Sequence, residues 1–207
     1  EEKGDDPTTG WTWIIDPIDG TQNYAWGIPC FSIVIALAKD GEVVAGVNFD
    51  PINSEMFHAA RGKGAFLNDQ KIKVSEISNF EDVIMVTDPA YGPVAGTTDT
   101  LQMVRKIWPS LKTARMIGSS ALSISYVAAG RMDIFVHHRL QPYDQAAGLI
   151  LMEEAGGLVT DREGNRAQLY SDGLIASSSI IHQQFMERTK HLQWRKPSSR
   201  SVNPRER

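Results

Sequence analysis

The chain has 207 residues, of which 42% are hydrophobic and 22% charged, and its formal net charge is −4. No window approaches the roughly 18 consecutive apolar residues that a membrane helix needs, so we expect no membrane partner. The acidic balance gives no general attraction to nucleic acid, and we expect no such partner either. The single cysteine, Cys30, excludes an internal disulfide and indicates a reducing, cytoplasmic compartment.

The most informative segment comes early, where an apolar run ends in two carboxylates three residues apart. Trp13–Ile15 is predicted to be part of a buried central strand. Pro17 has no N–H to donate to a ladder, so we expect the chain to turn there. Asp16 and Asp19 would then lie at the C-terminal end of the strand, where α/β proteins keep their ligand sites.

The residue types in this segment predict a site for a hard cation and a phosphate. Two carboxylates and the peptide carbonyl of Ile18 supply the oxygen ligands that Mg²⁺ prefers. Gly20 lets the backbone approach a ligand closely, and Thr21 adds a hydroxyl ligand or a helix cap. Backbone N–H groups after Gly20, at the start of a helical segment, favour a phosphate. The plainer alternative is an ordinary Asp-Pro turn capped by Thr21.

The first half of the chain is predicted to form an antiparallel sheet followed by a helix. The Asp40-Gly41 pair is a strong hairpin turn between two β-branched apolar runs. Helical spacing of apolar residues predicts a helix over 98–108, ended by Pro109. The predicted strands span 31–39, 42–49, 55–60, 64–67 and 71–74.

In the second half, strands and helices alternate. Ser119 or Ser120 is expected to cap a helix that runs to Ala129. Further helices are predicted over 143–155 and from 179 to about 193, with strands over 133–137, 158–160 and 174–177. We predict one unit over residues 1–193, with sub-regions of about 1–110 and 111–193, and a disordered basic tail over 194–207.

Asp144 is the third candidate ligand. It lies at the start of a predicted helix, where a carboxylate is favoured by the helix dipole without any metal. Helix capping is therefore the structural alternative to metal ligation. Its spacing after Gly118-Ser-Ser-Ala and before Ala147-Gly148 matches that of the inositol monophosphatase family, and this resemblance favours ligation.

These motifs together resemble the inositol monophosphatase family. Its first signature is a strand that runs into Asp-Pro-x-Asp-Gly-Thr/Ser, here residues 16–21. Its second, Trp-Asp-x-x-Ala-Gly, is present at 143–148 with Tyr143 in place of Trp. A third element is an upstream acidic pair, here Glu1-Glu2. The similarity extends from Glu1 to about Lys190 and implies a mixed α/β fold, a layered αβαβα sandwich with an antiparallel first sheet and a smaller α/β second half.

The resemblance also implies a mechanism and a set of roles. Two or three Mg²⁺ ions would activate a water for direct attack on a small polyol or sugar phosphate, without a covalent intermediate. The protein would be a homodimer. The residues assigned to catalysis are Glu2, Asp16, Asp19, Thr21 and Asp144. The metal ligands are Glu2, Asp16, the Ile18 carbonyl, Asp19 and Asp144. The substrate-binding residues are Asp19, Gly20, Thr21, Gly118, Ser119, Ser120, His137 and Asp144.

Two departures from the family pattern bear on the substrate. His137 lies seven residues before Asp144, where inositol-specific members carry a glutamate. Ser120 replaces a small apolar residue. The run from His137 to Arg139 is suited to a second phosphate or a carboxylate, so fructose 1,6-bisphosphate and histidinol phosphate are alternative substrates.

A non-catalytic metal-binding or scaffolding relative is the alternative from a different class. The sequence starts on Glu1 without an initiating Met, and it contains no counterpart of a further acidic residue that the family carries upstream. We therefore expect an N-terminal segment with two helices to be missing. Retention of five oxygen ligands favours the enzyme.

Overall fold

The computed structural model describes residues 9–89 and 94–196. Within them, two sheets and five helices alternate in layers. The strands of the first sheet are β1 (Trp11–Asp19), β2 (Ser32–Lys39), β3 (Glu42–Asp50), β4 (Glu55–Ala60), β5 (Gly64–Leu67) and β6 (Gln70–Lys71). Those of the second are β7 (Ile84–Asp88), β8 (Thr113–Arg115), β9 (Ile134–His137), β10 (Leu158–Thr160) and β11 (Leu174–Ser177). The helices are α1 (Thr21–Ala25), α2 (Val94–Ile107), α3 (Ser120–Ala128), α4 (Pro142–Glu154) and α5 (Ser179–Thr189).

The first sheet is antiparallel throughout, with its strands in chain order from β1 to β6. The second is mixed, with the order β10-β11-β9-β7-β8, and β7 pairs in parallel with both β8 and β9. The predicted mixed α/β fold with an antiparallel first sheet is therefore confirmed. No helix in the described ranges is both long enough and apolar enough to cross a membrane.

Helices α3 and α4 lie between the two sheets, while α2 and α5 cover the far side of the second sheet. Neighbouring residues of β9 show how the layers separate. Phe135 packs into the core with α3 and α4, whereas Ile134 and Val136 pack with α2 and α5. Because successive side chains of a strand point to opposite faces, β9 contributes side chains to both cores. The outermost helical layer of the expected sandwich is not among the described residues.

Close approach of α4 to the first sheet depends on small side chains. A Cβ atom on Gly46 of β3 would lie 2.7 Å from the Cα atom of Ala147. A Cβ on Gly148 would likewise meet Ile124 of α3 at 2.7 Å. The small residues at 147 and 148 therefore bring α4 directly against β3 and α3, and with it the N-terminal turn that carries Asp144.

Strand β1 differs from its prediction in two respects. It is an edge strand, and its alternate residues face away from the core, with Trp13 66% and Ile15 55% exposed. It also continues past Pro17 to Asp19. Asp16 pairs with Val34 and Asp19 with Ser32, so β1 carries one extra residue at a bulge. A bulge on an edge strand is where a proline fits, because no ladder hydrogen bond is lost there.

Two structural observations bear on the predicted boundaries. Strand β7 and helix α2 belong to the second half, since β7 pairs with β9. The division between the sub-regions therefore falls between Lys71 and Ile84 rather than near residue 110. The ordered chain also extends past residue 193. Trp194 is 1% exposed, and its carbonyl accepts a 2.7 Å hydrogen bond from Arg162. Residues 197–207 of the predicted tail lie outside the described residues.

Candidate metal centre

Three of the predicted ligands meet at one point. Asp16, Asp19 and Asp144 each offer a carboxylate oxygen, and these oxygens lie within 4.8 Å of one another. Asp16 and Asp19 flank the bulge of β1, and Asp144 lies in the first turn of α4. Residues 128 positions apart in the chain are thus brought together by packing of α4 on the first sheet. Glu2, the fourth predicted carboxylate ligand, lies outside the described residues.

The bulge orients the first two carboxylates by local hydrogen bonds. Asp16 Oδ1 accepts the N–H of Ile18 at 3.0 Å. The hydroxyl of Thr21 donates to the Ile18 carbonyl at 2.9 Å. The same carbonyl that the sequence predicts as a metal ligand therefore points toward the Thr21 side chain. The N-cap of α1 is Gly20 rather than Thr21, and this helix is a single short turn.

Asp19 is the most deeply buried carboxylate of the cluster, with 5% of its surface exposed. Its Oδ2 accepts hydrogen bonds from the Ser119 hydroxyl and, at 3.1 Å, from the N–H of Ala121. Ser119 is the N-cap of α3, and its Oγ also accepts the N–H of Leu122 at 3.3 Å. The N-terminal turn of α3 therefore fixes one oxygen of Asp19.

Asp144 caps a helix and also lies in the acidic cluster. Its Oδ2 accepts the N–H of Gln141 at 2.8 Å, which caps α4. A carboxylate has two oxygens and about four lone-pair sites, so capping leaves capacity for a cation. Helix capping and membership of the acidic cluster are both present.

Gly20 is constrained by its neighbours. Its φ is +88°, and a Cβ atom there would lie 3.0 Å from the Cys30 carbonyl and 3.2 Å from the Gly118 carbonyl. Both the left-handed conformation and the close contacts favour glycine. Gly118 and Ser119 therefore lie against the first motif. Ser120 is the first residue of α3 and is half-buried.

His137 ends β9 in the second sheet and does not belong to the carboxylate cluster of the described residues. It is 3% exposed, and burial lowers its pKa to about 4, so the ring is neutral at physiological pH. Nδ1 accepts the N–H of Arg139 at 3.2 Å, which places the ring proton on Nε2. Arg139 itself lies 3.8 Å from Asp172 in an ion pair.

Burial raises the pKa values of all three carboxylates in the cluster. Burial raises the pKa of Asp19 to about 7, hydrogen bonding to Ser119 opposes this, and the charge of Asp144 raises it further. Burial also raises the pKa of Asp144 to about 6. The pKa of Asp16 is raised by burial against the opposing Ile18 hydrogen bond. Carboxylates that repel one another in a buried site are stabilised by a divalent cation.

These shifts predict how stability varies with pH. Because the folded pKa of Asp19 lies above its ordinary value of 3.8, the folded chain binds more protons than the unfolded chain between these values. Stability without metal therefore falls as pH rises toward 7, by an amount on the order of 2–4 kcal/mol for Asp19. In EDTA, the Tm of Asp19→Asn minus that of wild type should therefore be more positive at about pH 8 than at about pH 5, because only the wild type is destabilised by ionisation of Asp19. An equal difference at both would contradict the shift.

The fold and the cluster define an α/β protein with an oxygen-rich site suited to a hard divalent cation. Residues 1–198 match the profile of the inositol monophosphatase family. The fructose-1,6-bisphosphatase/inositol-1-monophosphatase of Thermotoga maritima is 41% identical over 90% of this chain and 68% of its own length. The Nus factor SuhB of Escherichia coli K12 is 36% identical over 82% of this chain and 63% of its own.

Among solved structures, the extragenic suppressor protein suhB of Bartonella henselae is similar, with a TM-score of 0.85 and 38% identity. That match covers 92% of this chain and 74% of the other. The chain thus spans about two thirds of the length of the curated relatives it matches. It belongs to the inositol monophosphatase family.

Proposed function

We propose that the protein is a Mg²⁺-dependent phosphomonoesterase that acts on a small polyol or sugar phosphate. The observation that carries the proposal is the convergence of Asp16, Asp19 and Asp144, whose ligand oxygens lie within 4.8 Å of one another. All three donors are hard oxygens, which suits Mg²⁺ better than softer metals. Their raised pKa values are those of carboxylates that a bound cation would stabilise.

In this proposal the three carboxylates and the Ile18 carbonyl hold the cations, with Glu2 as a further ligand and two or three ions in all. Bound Mg²⁺ would polarise the phosphoryl group and promote ionisation of a water. The geometry of Thr21 supports a role in positioning the water. Its hydroxyl donates to the Ile18 carbonyl, so its oxygen keeps lone pairs that would accept a hydrogen bond from the attacking water.

Substrate recognition is assigned to groups around the cluster. The backbone N–H groups of Gly20 and Thr21 would neutralise charge on the phosphoryl oxygens. Gly118, Ser119 and Ser120 would line the polyol, as the resemblance implies. His137 would contact a hydroxyl through its Nε2–H.

The state of His137 bears on the choice among substrates. A neutral, buried imidazole offers a hydrogen bond but no charge, so it is poorly suited to a second phosphate. The neighbouring Arg139 is already paired with Asp172. This favours a polyol monophosphate over a bisphosphate through this segment. The Thermotoga maritima relative is named for both activities, so fructose 1,6-bisphosphate stays an alternative substrate in this proposal.

The proposal includes a cytoplasmic location and a homodimer. A net charge of −4 and a single cysteine support a cytoplasmic protein without a nucleic-acid partner. Association as a homodimer is proposed from family membership alone.

A second candidate is a metal-binding role apart from catalysis. The Escherichia coli relative is named a Nus factor rather than an enzyme. The two candidates share the carboxylate cluster, so metal binding does not separate them. Turnover of a phosphate ester does.

The deciding experiment is phosphate release with Mg²⁺ from inositol 1-phosphate, fructose 1,6-bisphosphate, histidinol phosphate and adenosine 3′,5′-bisphosphate. We expect hydrolysis of a polyol or sugar phosphate. His137→Ala should raise KM for that substrate roughly tenfold, the cost of one buried hydrogen bond, with a smaller effect on kcat. Saturable Mg²⁺ binding without turnover of any ester would favour the second candidate.

A further inference from the structure

Asp88 is a buried carboxylate close to the candidate site that the sequence motifs do not include. It is the last residue of β7 in the second sheet and is 8% exposed. Its Oδ1 accepts the N–H of Gly118 at 3.0 Å. Gly118 precedes Ser119, whose hydroxyl donates to Asp19. Two hydrogen bonds and one peptide unit therefore connect Asp88 to the most buried carboxylate of the cluster.

The turn between these bonds has little freedom. Gly118 has a φ of +78°, and a Cβ atom there would lie 2.9 Å from the Asn23 side-chain nitrogen. That nitrogen donates to the carbonyls of Ile117 at 2.8 Å and Cys30 at 2.7 Å. Asn23 of α1 thus holds the turn on one side, and Asp88 of the second sheet holds it on the other. A shift of either anchor would move the N-terminal turn of α3.

The second carboxylate oxygen of Asp88 and its raised pKa distinguish it from an ordinary buried hydrogen-bond acceptor. Within the described part of the chain, its Oδ2 is buried and has no hydrogen-bond partner. Burial raises the pKa of this carboxyl to about 6 against the opposing hydrogen bonds from Gly118 and Ile117. Buried, unsatisfied polar groups reduce stability and are concentrated where function requires them.

We propose that Asp88 is a positioning residue, which holds the Gly118–Ser119 turn so that Ser119 and Ala121 fix Asp19 in the orientation needed for cation binding. This rests on the proposed function for its metal readout, but the geometry it asserts is independent of any metal. Partners that orient metal ligands typically contribute about 10- to 100-fold to affinity or activity.

Asp133 provides a matched control. It is also 8% exposed, and its Oδ2 accepts one backbone N–H, that of Ile84, at 2.7 Å. It lies at the N-terminal ends of β7 and β9, whereas Asp88 lies at the C-terminal end of the same parallel pair. Replacing either by alanine removes one buried carboxylate together with its hydrogen bonding to backbone N–H groups. Of the two, Asp88 is the one connected to Asp19, through the hydrogen bonds of Gly118 and Ser119.

The test compares Asp88→Ala, Asp88→Asn and Asp133→Ala in the full chain by two readouts. The first is amide exchange without metal at Ala121, which donates to Asp19, and at Leu122, which donates to Ser119. Asp88→Ala should lower their protection about tenfold more than Asp133→Ala, which corresponds to the loss of one buried hydrogen bond at the turn. Asp88→Asn keeps an acceptor for the N–H of Gly118 and should therefore retain the protection of both amides.

The second readout is the Mg²⁺ concentration for half-maximal phosphate release. Asp88→Ala should raise it about tenfold and lower kcat, with KM for the ester less affected. It should add no further loss to Ser119→Ala. If Asp88→Ala does not fold, Asp88→Ser carries the same expectations, because its hydroxyl is too short to reach Gly118.

Equal exchange at Ala121 and Leu122 in Asp88→Ala and Asp133→Ala would overturn the proposal, as would losses that add to those of Ser119→Ala. A wild-type chain without Mg²⁺ binding or turnover would instead refute the proposed function. In that case the exchange comparison alone still decides the role of Asp88.

Discussion

Asp16→Asn should lower kcat for the hydrolysed ester by roughly three orders of magnitude, because a shared cation ligand contributes several kcal/mol to the transition state. The fold should persist. Asparagine keeps an Oδ1 that is able to accept the N–H of Ile18. The measurement is steady-state phosphate release with saturating Mg²⁺, beside thermal unfolding of the same samples.

The chain contains its own control for this substitution. Asp50-Pro51-Ile52 repeats the local sequence Asp16-Pro17-Ile18, and Asp50 Oδ1 accepts the N–H of Ile52 at 2.9 Å. Asp50 is buried but is not part of the carboxylate cluster. Asp50→Asn should therefore retain activity to within a few-fold in the fraction that is folded. Equal loss of turnover in both variants would attribute the effect to the turn rather than to a cation.

Asp144→Asn should raise the Mg²⁺ concentration for half-maximal activity by about 100-fold and reduce kcat, because a charge is lost from the site. Its effect on unfolding should be small. The asparagine Oδ1 is able to accept the N–H of Gln141 and preserve the cap of α4. Mg²⁺ titrations of phosphate release and thermal unfolding in EDTA measure the two effects separately.

Comparison with Asp144→Ala separates the cap from the charge. Alanine removes both, so it should lose the same activity and an additional ~1 kcal/mol of stability. If Asp144→Asn retained the wild-type Mg²⁺ dependence while Asp144→Ala lost stability, Asp144 would be a helix cap and nothing more.

The sequence predicted most elements of the fold because their signals are local. The Asp40-Gly41 hairpin joins β2 and β3 as expected, and β10 and β11 begin and end at the predicted residues. Capping chemistry identified Ser119 as one of two candidates for the N-cap of α3. Such signals depend on φ preferences and side-chain hydrogen bonds within a few residues.

The errors in the fold concern relations between distant segments. Period-2 alternation does not say which face of β1 meets the core, so Trp13 was predicted to be buried and is exposed. A proline is compatible with β1 only because the strand is at an edge, which is a property of the whole sheet. The run of Ile84 to Thr87 is apolar enough for a strand, but its parallel pairing with β9 has no local signature.

The candidate site, like the fold, was predicted only where the sequence carries a motif. Asp16, Asp19 and Asp144 were predicted from motif spacing and are brought together by the fold, although their role as ligands remains a prediction. Asp88 was missed. It follows an apolar strand and precedes Pro89, and nothing nearby indicates that it accepts a hydrogen bond from Gly118, thirty residues further on.

The most direct test of the central proposal is phosphate release from inositol 1-phosphate as a function of Mg²⁺, after EDTA treatment. We predict no release without Mg²⁺, saturable recovery as it is added, and no recovery in Asp16→Asn. Release that persists in EDTA, or that Asp16→Asn recovers as fully as wild type, would contradict a cation site at this carboxylate cluster.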